Sequence, residues 1–155
     1  MSTAARGDHA GRPVPPAELT GHLAYLLKHA QLALAELTAA ALEPYPVNGR
    51  ELAVLTVLAG NEPASQQQAA QRLGVDRTTM VGLIDALEDE GLVRRHADAG
   101  DRRRNVVTLT EAGRDTLHRA GEAAGAAERR FLAPLSTPDA QRLKATLLAV
   151  IEPQR

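Results

Sequence analysis

The sequence predicts a mainly α-helical protein that carries one small β-hairpin. Hydrophobic residues make up 44% of the 155 residues but aromatic residues only 2%. The apolar content is therefore mostly alanine, leucine and valine, which favours helices packed on helices over a broad sheet. Two short runs, 92–96 and 105–109, are instead rich in β-branched or aliphatic residues and flank an arginine-rich loop. We expect these two runs to pair as an antiparallel hairpin.

Composition and charge exclude several classes of protein. The chain has no cysteine, which excludes disulfides, thiolate metal sites and thiol-based sensing. No apolar run approaches the roughly 20 residues of a membrane span, and residues 1–16 lack the apolar stretch of a secretory signal. We expect a cytoplasmic protein with no membrane partner and a flexible tail over residues 1–16. The formal net charge is −1, so contact with nucleic acid would require segregated charge.

Helical periodicity and cap signals predict the helices on either side of the hairpin. The first begins after Pro16 and ends before Pro44, and its stripe of leucine and alanine is wide enough to predict burial against a second chain. A short helix over 48–59 follows. After the hairpin, Thr110 caps a fifth helix that ends near Leu132, and a start signal at residues 136–138 opens the last helix.

The segment between residues 65 and 91 predicts a helix-turn-helix. Ser65 opens an S-x-x-Q capping box, and Gly74 suits the left-handed end of the third helix. Asp76 is then the expected N-cap of a fourth helix, which Gly91 ends. Two helices joined by so short a turn form a helix-turn-helix, and the hairpin that follows adds a wing to it.

Positive charge is concentrated on this predicted wing. Residues 94–104 contain five arginines and two aspartates. A basic loop at the tip of a hairpin is narrow enough to enter a DNA groove, and a helix over 76–90 has the size to lie in the adjacent major groove. The sequence therefore predicts a regulator that binds double-stranded DNA.

The order of these elements and their motifs resembles the MarR family of winged-helix transcription regulators. The resemblance is close over about residues 48–113, where the wing has a D-x-R element followed by L-T-x-x-G. The flanks agree only in helical character and length. The matching strings are Leu73-Gly-Val-Asp76-Arg-Thr-Thr79, Leu83-Ile-Asp-Ala-Leu87-Glu, Gly91-Leu-Val-Arg-Arg95, Asp101-Arg-Arg103 and Val107-Thr-Leu-Thr-Glu-Ala-Gly113.

The resemblance implies a homodimer built around two DNA-binding lobes. Residues 46–110 would form the winged helix-turn-helix domain, and residues 17–45 and 111–155 would intertwine with those of a second chain. The wide apolar stripes of the terminal helices favour the same arrangement, since a monomer would expose them.

The resemblance and the wing's charge assign DNA contacts to the wing. By position Arg103 resembles the family's wing-tip arginine, which enters a narrow A·T-rich minor groove, and the alternative is a solvated arginine on a loop. Arg102 and Arg104 neutralise phosphates, or serve only solubility. Asp101 is expected to hold a wing arginine through a charge-assisted hydrogen bond.

The helix-turn-helix supplies the other predicted contacts. Its recognition helix presents its first turn to base edges, where an arginine can bind guanine in bidentate fashion, or that turn contacts phosphates alone. Asp76 would cap this helix and pair with Arg95, and the acidic cluster at 85–90 would be a solvated face. The remaining predicted DNA contacts are Arg77, Thr78 and Thr79 in that first turn, Ser65, Gln66 and Gln67 at the start of the third helix, and Arg95 itself.

An effector pocket is the least specific expectation. His22, Tyr25 and His29 share one face of the first helix, and Arg50 opens the second, so together they could hold a small aromatic or anionic compound. A polar seam at the dimer interface explains the same residues. No ligand spacing supports a metal, and no cofactor is expected.

The sequence as a whole predicts a homodimeric, effector-responsive repressor that binds a pseudo-palindromic operator, with half-sites about one helical turn apart. The alternative is a winged-helix dimerisation or adaptor protein that does not bind DNA. We do not expect an enzyme, because the sequence contains no catalytic motif and no phosphate-binding loop.

Overall fold

The computed structural model describes residues 14–60 and 62–152, so the tail predicted for residues 1–16 lies almost entirely outside the described residues. The chain forms two compact units, one ending at Leu32 and the other beginning at Ala33. Within the described residues no helix has both the length and the apolar character needed to cross a membrane. The helices and strands are α1 Leu23–Leu42, α2 Gly49–Ala59, β1 Ala64–Ser65, α3 Gln66–Leu73, α4 Arg77–Asp89, β2 Val93–Ala97, β3 Asn105–Leu109, α5 Glu111–Leu132 and α6 Thr137–Ile151.

The start of the first helix differs from the prediction. A separate 3₁₀ turn covers Ala17–Leu19, and α1 begins only at Leu23. The hydroxyl of Thr20 donates to the carbonyl of Ala17 at 2.8 Å, which ends the turn locally. Gly21 follows, and glycine in a helix costs conformational entropy. The prediction of one helix from residue 17 was therefore wrong at its N-terminal end, although Leu19 fits the helical spacing.

The predicted caps are confirmed. Ser65 forms the capping box that its S-x-x-Q pattern predicts, and Asn48, which was not predicted as a cap, forms a second one. Gly74 adopts the left-handed conformation with φ 65° at the end of α3. Thr110 and Ser136 cap α5 and α6 through their side chains. These local signals place α2 to α6 within one or two residues of the predicted bounds.

The sheet has three antiparallel strands in the order β1-β3-β2. Strands β2 and β3 form the predicted hairpin, with Val93 opposite Leu109 and Arg95 opposite Val107. Strand β1 was not predicted, because two residues are too few to show an alternating pattern. It pairs Ala64 with Val107 and so ties the start of α3 to the wing.

The core lies between α2, α4 and the sheet. Leu55, Leu58, Met80 and Ile84 are fully buried there. Helix α5 adds Ala120 to this core, and its first turn lies against the segment before β2, where a Cβ at Gly113 would overlap the backbone carbonyl of Leu92. The glycine of the L-T-x-x-G motif is thus a packing requirement.

Candidate nucleic-acid interface

A groove of about 890 Å³ runs between the start of α3, the start of α4 and the wing. Among the described residues that line it are four arginines and no carboxylate, so the groove is positively charged. We call it the basic groove. It brings together seven of the ten residues predicted to contact DNA, and the other three, Thr78, Thr79 and Arg102, do not line it. The lining residues are Ser65, Gln66, Gln67, Ala70, Gln71, Gly74, Val75, Arg77, Arg95, Arg103, Arg104 and Asn105.

The recognition helix α4 is fixed at its N-terminus by Asp76. The carboxylate accepts the backbone N–H of Thr79 at 2.9 Å and its hydroxyl at 2.6 Å. The hydrogen bonds from Thr79 hold the pKa of Asp76 below its usual value of 3.8. The hydroxyl of Thr79 is therefore used in the cap, and Thr79 lines a different cavity, so its predicted DNA contact has no support from the geometry. Thr78 is exposed.

Arg95 joins the recognition helix to the wing. Its guanidinium forms ion pairs with Asp85 and Glu88 of α4, and its backbone N–H donates to Glu88 at 3.0 Å. The backbone N–H and the guanidinium of Arg95, in that order, lower the pKa of Glu88. The predicted pair of Asp76 with Arg95 is therefore wrong. The acidic cluster is also not simply a solvated face, since two of its carboxylates are held by Arg95.

Gln66 adds a contact from α3 to the same arginine. With its amide oxygen turned towards the guanidinium, Gln66 accepts from Nε of Arg95 at 2.6 Å and from Nη2 at 3.0 Å. The side chain of Arg95 is only 23% exposed. Arg95 thus holds α3, α4 and β2 together at the floor of the basic groove, and its charge offsets two acids beside the groove.

The wing loop is held by two aspartates. Asp98 accepts the backbone N–H of Gly100 at 2.7 Å, and Asp101 accepts that of Arg103 at 3.0 Å. The backbone N–H of Arg104 donates to the carbonyl of Asp101 at 2.9 Å. The hydrogen bond expected between Asp101 and a wing arginine is present, and its donor is the backbone N–H of Arg103. The side chains of residues 102–104 are exposed at the tip.

Glu62 fixes the far end of the wing and was missed by the sequence analysis. Its carboxylate accepts the backbone N–H of Leu109 and forms an ion pair with Arg114. This contact attaches the end of β3 to α5. The partners are 47 and 52 residues away in the chain, so no local pattern could have identified them.

The residues of the predicted effector pocket fall in separate units. The carbonyl of His22 accepts the first hydrogen bond of α1, from Leu26, and the rings of Tyr25 and His29 lie 4.1 Å apart. Arg50 belongs to the other unit, where it lines a cavity of about 500 Å³ beside the helix-turn-helix turn. A pocket shared by all four residues remains a prediction. The described residues contain no cluster of potential metal ligands.

Comparison with known sequences gives a consistent result. The sequence profile of the MarR family matches residues 45–104. An HTH-type transcriptional repressor of Mycobacterium tuberculosis is 32% identical over 125 residues, which cover 81% of this chain and 90% of the repressor. A putative transcriptional regulatory protein for the hcr operon of Thauera aromatica is 34% identical over 99 residues, covering 64% of this chain. The match spans only 57% of the length of the Thauera protein.

Solved structures extend the comparison to complexes. The transcriptional repressor CouR bound to a 23-mer DNA duplex superposes with a TM-score of 0.84 at 31% identity, over 91% of this chain and all of that one. CouR from Rhodococcus jostii RHA1 bound to p-coumaroyl-CoA gives a TM-score of 0.79 at 27% identity, over 90% of this chain and 99% of that one. The similar structures therefore include one protein in a DNA-bound and in a ligand-bound state.

Proposed function

The chain belongs to the MarR family of winged-helix transcriptional regulators, and from that membership we propose that it is an effector-responsive repressor that acts as a homodimer on a pseudo-palindromic operator. Its relatives are regulators of transcription and not enzymes, in agreement with the sequence analysis. The observation that carries the proposal is the basic groove, where four arginines face one concave surface between the recognition helix and the wing.

The DNA-binding step follows from the shape and charge of this groove. Helix α4 enters the major groove with Arg77 and Thr78 towards base edges, and Ser65, Gln66 and Gln67 face the phosphates. The exposed Arg103 enters the adjacent minor groove, where a narrow A·T-rich segment concentrates negative potential. Arg102 and Arg104 neutralise phosphates on either side. Arg95 positions these elements and is not itself a base contact, because its guanidinium is already bound by Asp85 and Glu88.

Dimerisation would use the terminal helices, residues 17–45 and 111–155. Leu148, Val150 and Ile151 of α6 are 56%, 73% and 76% exposed, and Leu23 of α1 is 66% exposed. Such apolar surfaces on one chain favour a two-fold interface that covers them. Two lobes in a dimer would then reach successive turns of the duplex, which requires half-sites about one helical turn apart.

The effector step rests on the ligand-bound relative. CouR is solved with p-coumaroyl-CoA, an aromatic and anionic compound. We propose that this chain also binds a small aromatic acid, with the rings of His22, Tyr25 and His29 at the start of α1 as the contacts. An effector lowers DNA affinity only if it binds the DNA-incompetent arrangement of the dimer better than the competent one.

Selection of bound fragments from genomic DNA, followed by fluorescence anisotropy on the recovered duplex, tests the proposal. We expect binding that weakens steeply with salt. Arg103→Ala should weaken it about 5- to 150-fold, since loss of an arginine groove contact costs about 1–3 kcal/mol. The matched control is Arg72→Ala, which removes the same charge from the last turn of α3, where Arg72 is exposed and does not line the basic groove.

Three results would contradict the proposal. If no duplex is enriched, the chain does not bind DNA specifically, and if both arginine variants lose affinity equally, the wing has no particular role. Addition of aromatic acids to the bound duplex tests the effector step. If every acid that raises the melting temperature of the protein leaves the anisotropy unchanged, the effector-responsive part is wrong.

A further inference from the structure

Gly82 occupies a position in α4 that the fold does not explain. It lies in the middle of the helix Arg77–Asp89 and is exposed. Glycine inside a helix is less stable than alanine, because it loses more backbone entropy on folding. A Cβ built at Gly82 meets no atom within 4 Å, whereas one at Gly113 overlaps a backbone carbonyl. Packing within the chain therefore requires glycine at 113 but not at 82.

Gly82 lies on the outward face of the recognition helix. Met80, Ile84 and Leu87 are buried and define the inward face. At 100° per residue, Thr78 and Gly82 fall on the opposite side of α4, one turn apart. Val81 lies beside this face, on the flank of the helix that also carries Glu88. Thr78 is exposed and Val81 is half-buried. The outward face thus has no side chain at Gly82, one turn after Thr78 and directly after Val81 in the chain.

The charges around this face favour DNA as its occupant. Arg77 precedes Thr78 in the chain and lines the basic groove. Asp85, which is also exposed and would repel phosphate, is ion-paired with Arg95. The outward face adjoins one cation, Arg77, at the start of α4, and its nearest acid is paired. Asp89 lies on the same face but two turns beyond Gly82, so the first turns of α4 are the part suited to the major groove.

We propose that Thr78, Val81 and Gly82 form an apolar notch on α4 that accepts a thymine methyl group, so that the operator carries A·T pairs at the centre of each half-site. In the major groove only thymine presents a methyl group, and threonine methyls and small aliphatic side chains are its usual contacts. The missing Cβ at Gly82 lets the helix backbone approach the base edge. This inference rests on the proposed operator binding and specifies what the recognition helix reads.

Deoxyuridine substitution of the genomically selected duplex tests the notch directly. Deoxyuridine lacks the thymine methyl but keeps every hydrogen-bonding group, so a position-by-position scan isolates methyl contacts. We expect one thymine per half-site whose replacement weakens wild-type binding about fourfold, the value of one buried methyl-sized group. Val81→Ala should bind the thymine duplex less tightly and lose most of its sensitivity to deoxyuridine at that position.

Gly82→Ala separates binding from folding. The added methyl fits the free protein and favours the helix, so the melting temperature should stay the same or rise. Affinity for the selected duplex should fall at least tenfold, while affinity for an unrelated duplex, which depends on the intact arginines, should change less than twofold.

The outcomes distinguish this inference from the proposed function. If no duplex is selected, the proposed function itself fails. If a duplex is selected but no deoxyuridine position affects wild-type binding, or if Gly82→Ala binds as wild type does, the notch is overturned and operator binding stands. Should Gly82→Ala fold poorly, the deoxyuridine scan on the wild-type protein decides alone.

Discussion

The interior of the winged lobe, formed by α2, α4 and the three-stranded sheet, and helix α6 bury apolar side chains to opposite extents. Leu55, Leu58 and Met80 are fully buried in the lobe. Helix α6, which the structure describes completely, has no buried residue, and its Ile151 is 76% exposed. Both regions are rich in leucine. The lobe therefore completes its core within one chain, whereas α6 has the composition of a core element that needs a partner surface.

The largest effect should come from the lobe interior. Leu55→Ala should lower the free energy of unfolding by about 2–5 kcal/mol, because it removes fully buried methyl groups and leaves a cavity between α2 and α4. Urea denaturation measures this difference. The matched control is Leu19→Ala, which truncates a partly exposed leucine in the N-terminal 3₁₀ turn. The contrast between buried and exposed leucines would be contradicted if Leu55→Ala lowered the free energy of unfolding no more than Leu19→Ala does.

A smaller effect, expressed in assembly rather than folding, should come from α6. Leu148→Glu places a charge on the apolar face and should raise the dissociation constant of the dimer about 100-fold, corresponding to about 3 kcal/mol for an unpaired charge in an interface. Sedimentation velocity at several protein concentrations measures the shift. The matched control is Ala149→Glu, which adds the same charge at an exposed position about 160° around the helix from Leu147 and Ile151.

The control also shows what would contradict the interpretation of α6. If the wild-type chain sediments as a monomer at every concentration, the exposed leucines serve no self-association. If both glutamate variants dissociate the dimer equally, net charge rather than the apolar face controls assembly.

Local signals made most of the fold predictable from the sequence. Asn48, Ser65, Asp76 and Thr110 each mark a helix start through hydrogen bonds to residues within three positions, which a reader of the sequence can recognise. The arginine-rich loop between two β-rich runs likewise predicted the wing. The strings that resemble the MarR family cover this same local part of the chain.

Contacts between distant residues were not predictable. Arg95 pairs with Asp85 and Glu88, ten and seven positions earlier and across a helix end, and no periodicity selects these partners over Asp76. Glu62 binds residues 47 and 52 positions away. The sequence predicted that Asp101 holds a wing arginine but not the donor atom, since a carboxylate two residues before an arginine can bind either its backbone or its side chain.

The smallest effect should be the acid sensitivity of the lobe's surface contacts, which contrasts with its apolar and pH-indifferent interior. The pKa of Asp76 and that of Glu88 lie below their usual values of 3.8 and 4.5, because both carboxylates accept hydrogen bonds in the folded state. Lowered pKa values mean that these groups stabilise the fold above about pH 4.5, and that this stabilisation is lost as the pH falls through their folded-state values.

Melting temperature measured between pH 6 and pH 3 should therefore decline for the wild type. Asp76→Asn, which can still cap α4 through its amide oxygen, should start close to the wild type at pH 6 and decline less. An unchanged slope in this variant would mean that the Asp76 cap does not contribute to the acid sensitivity.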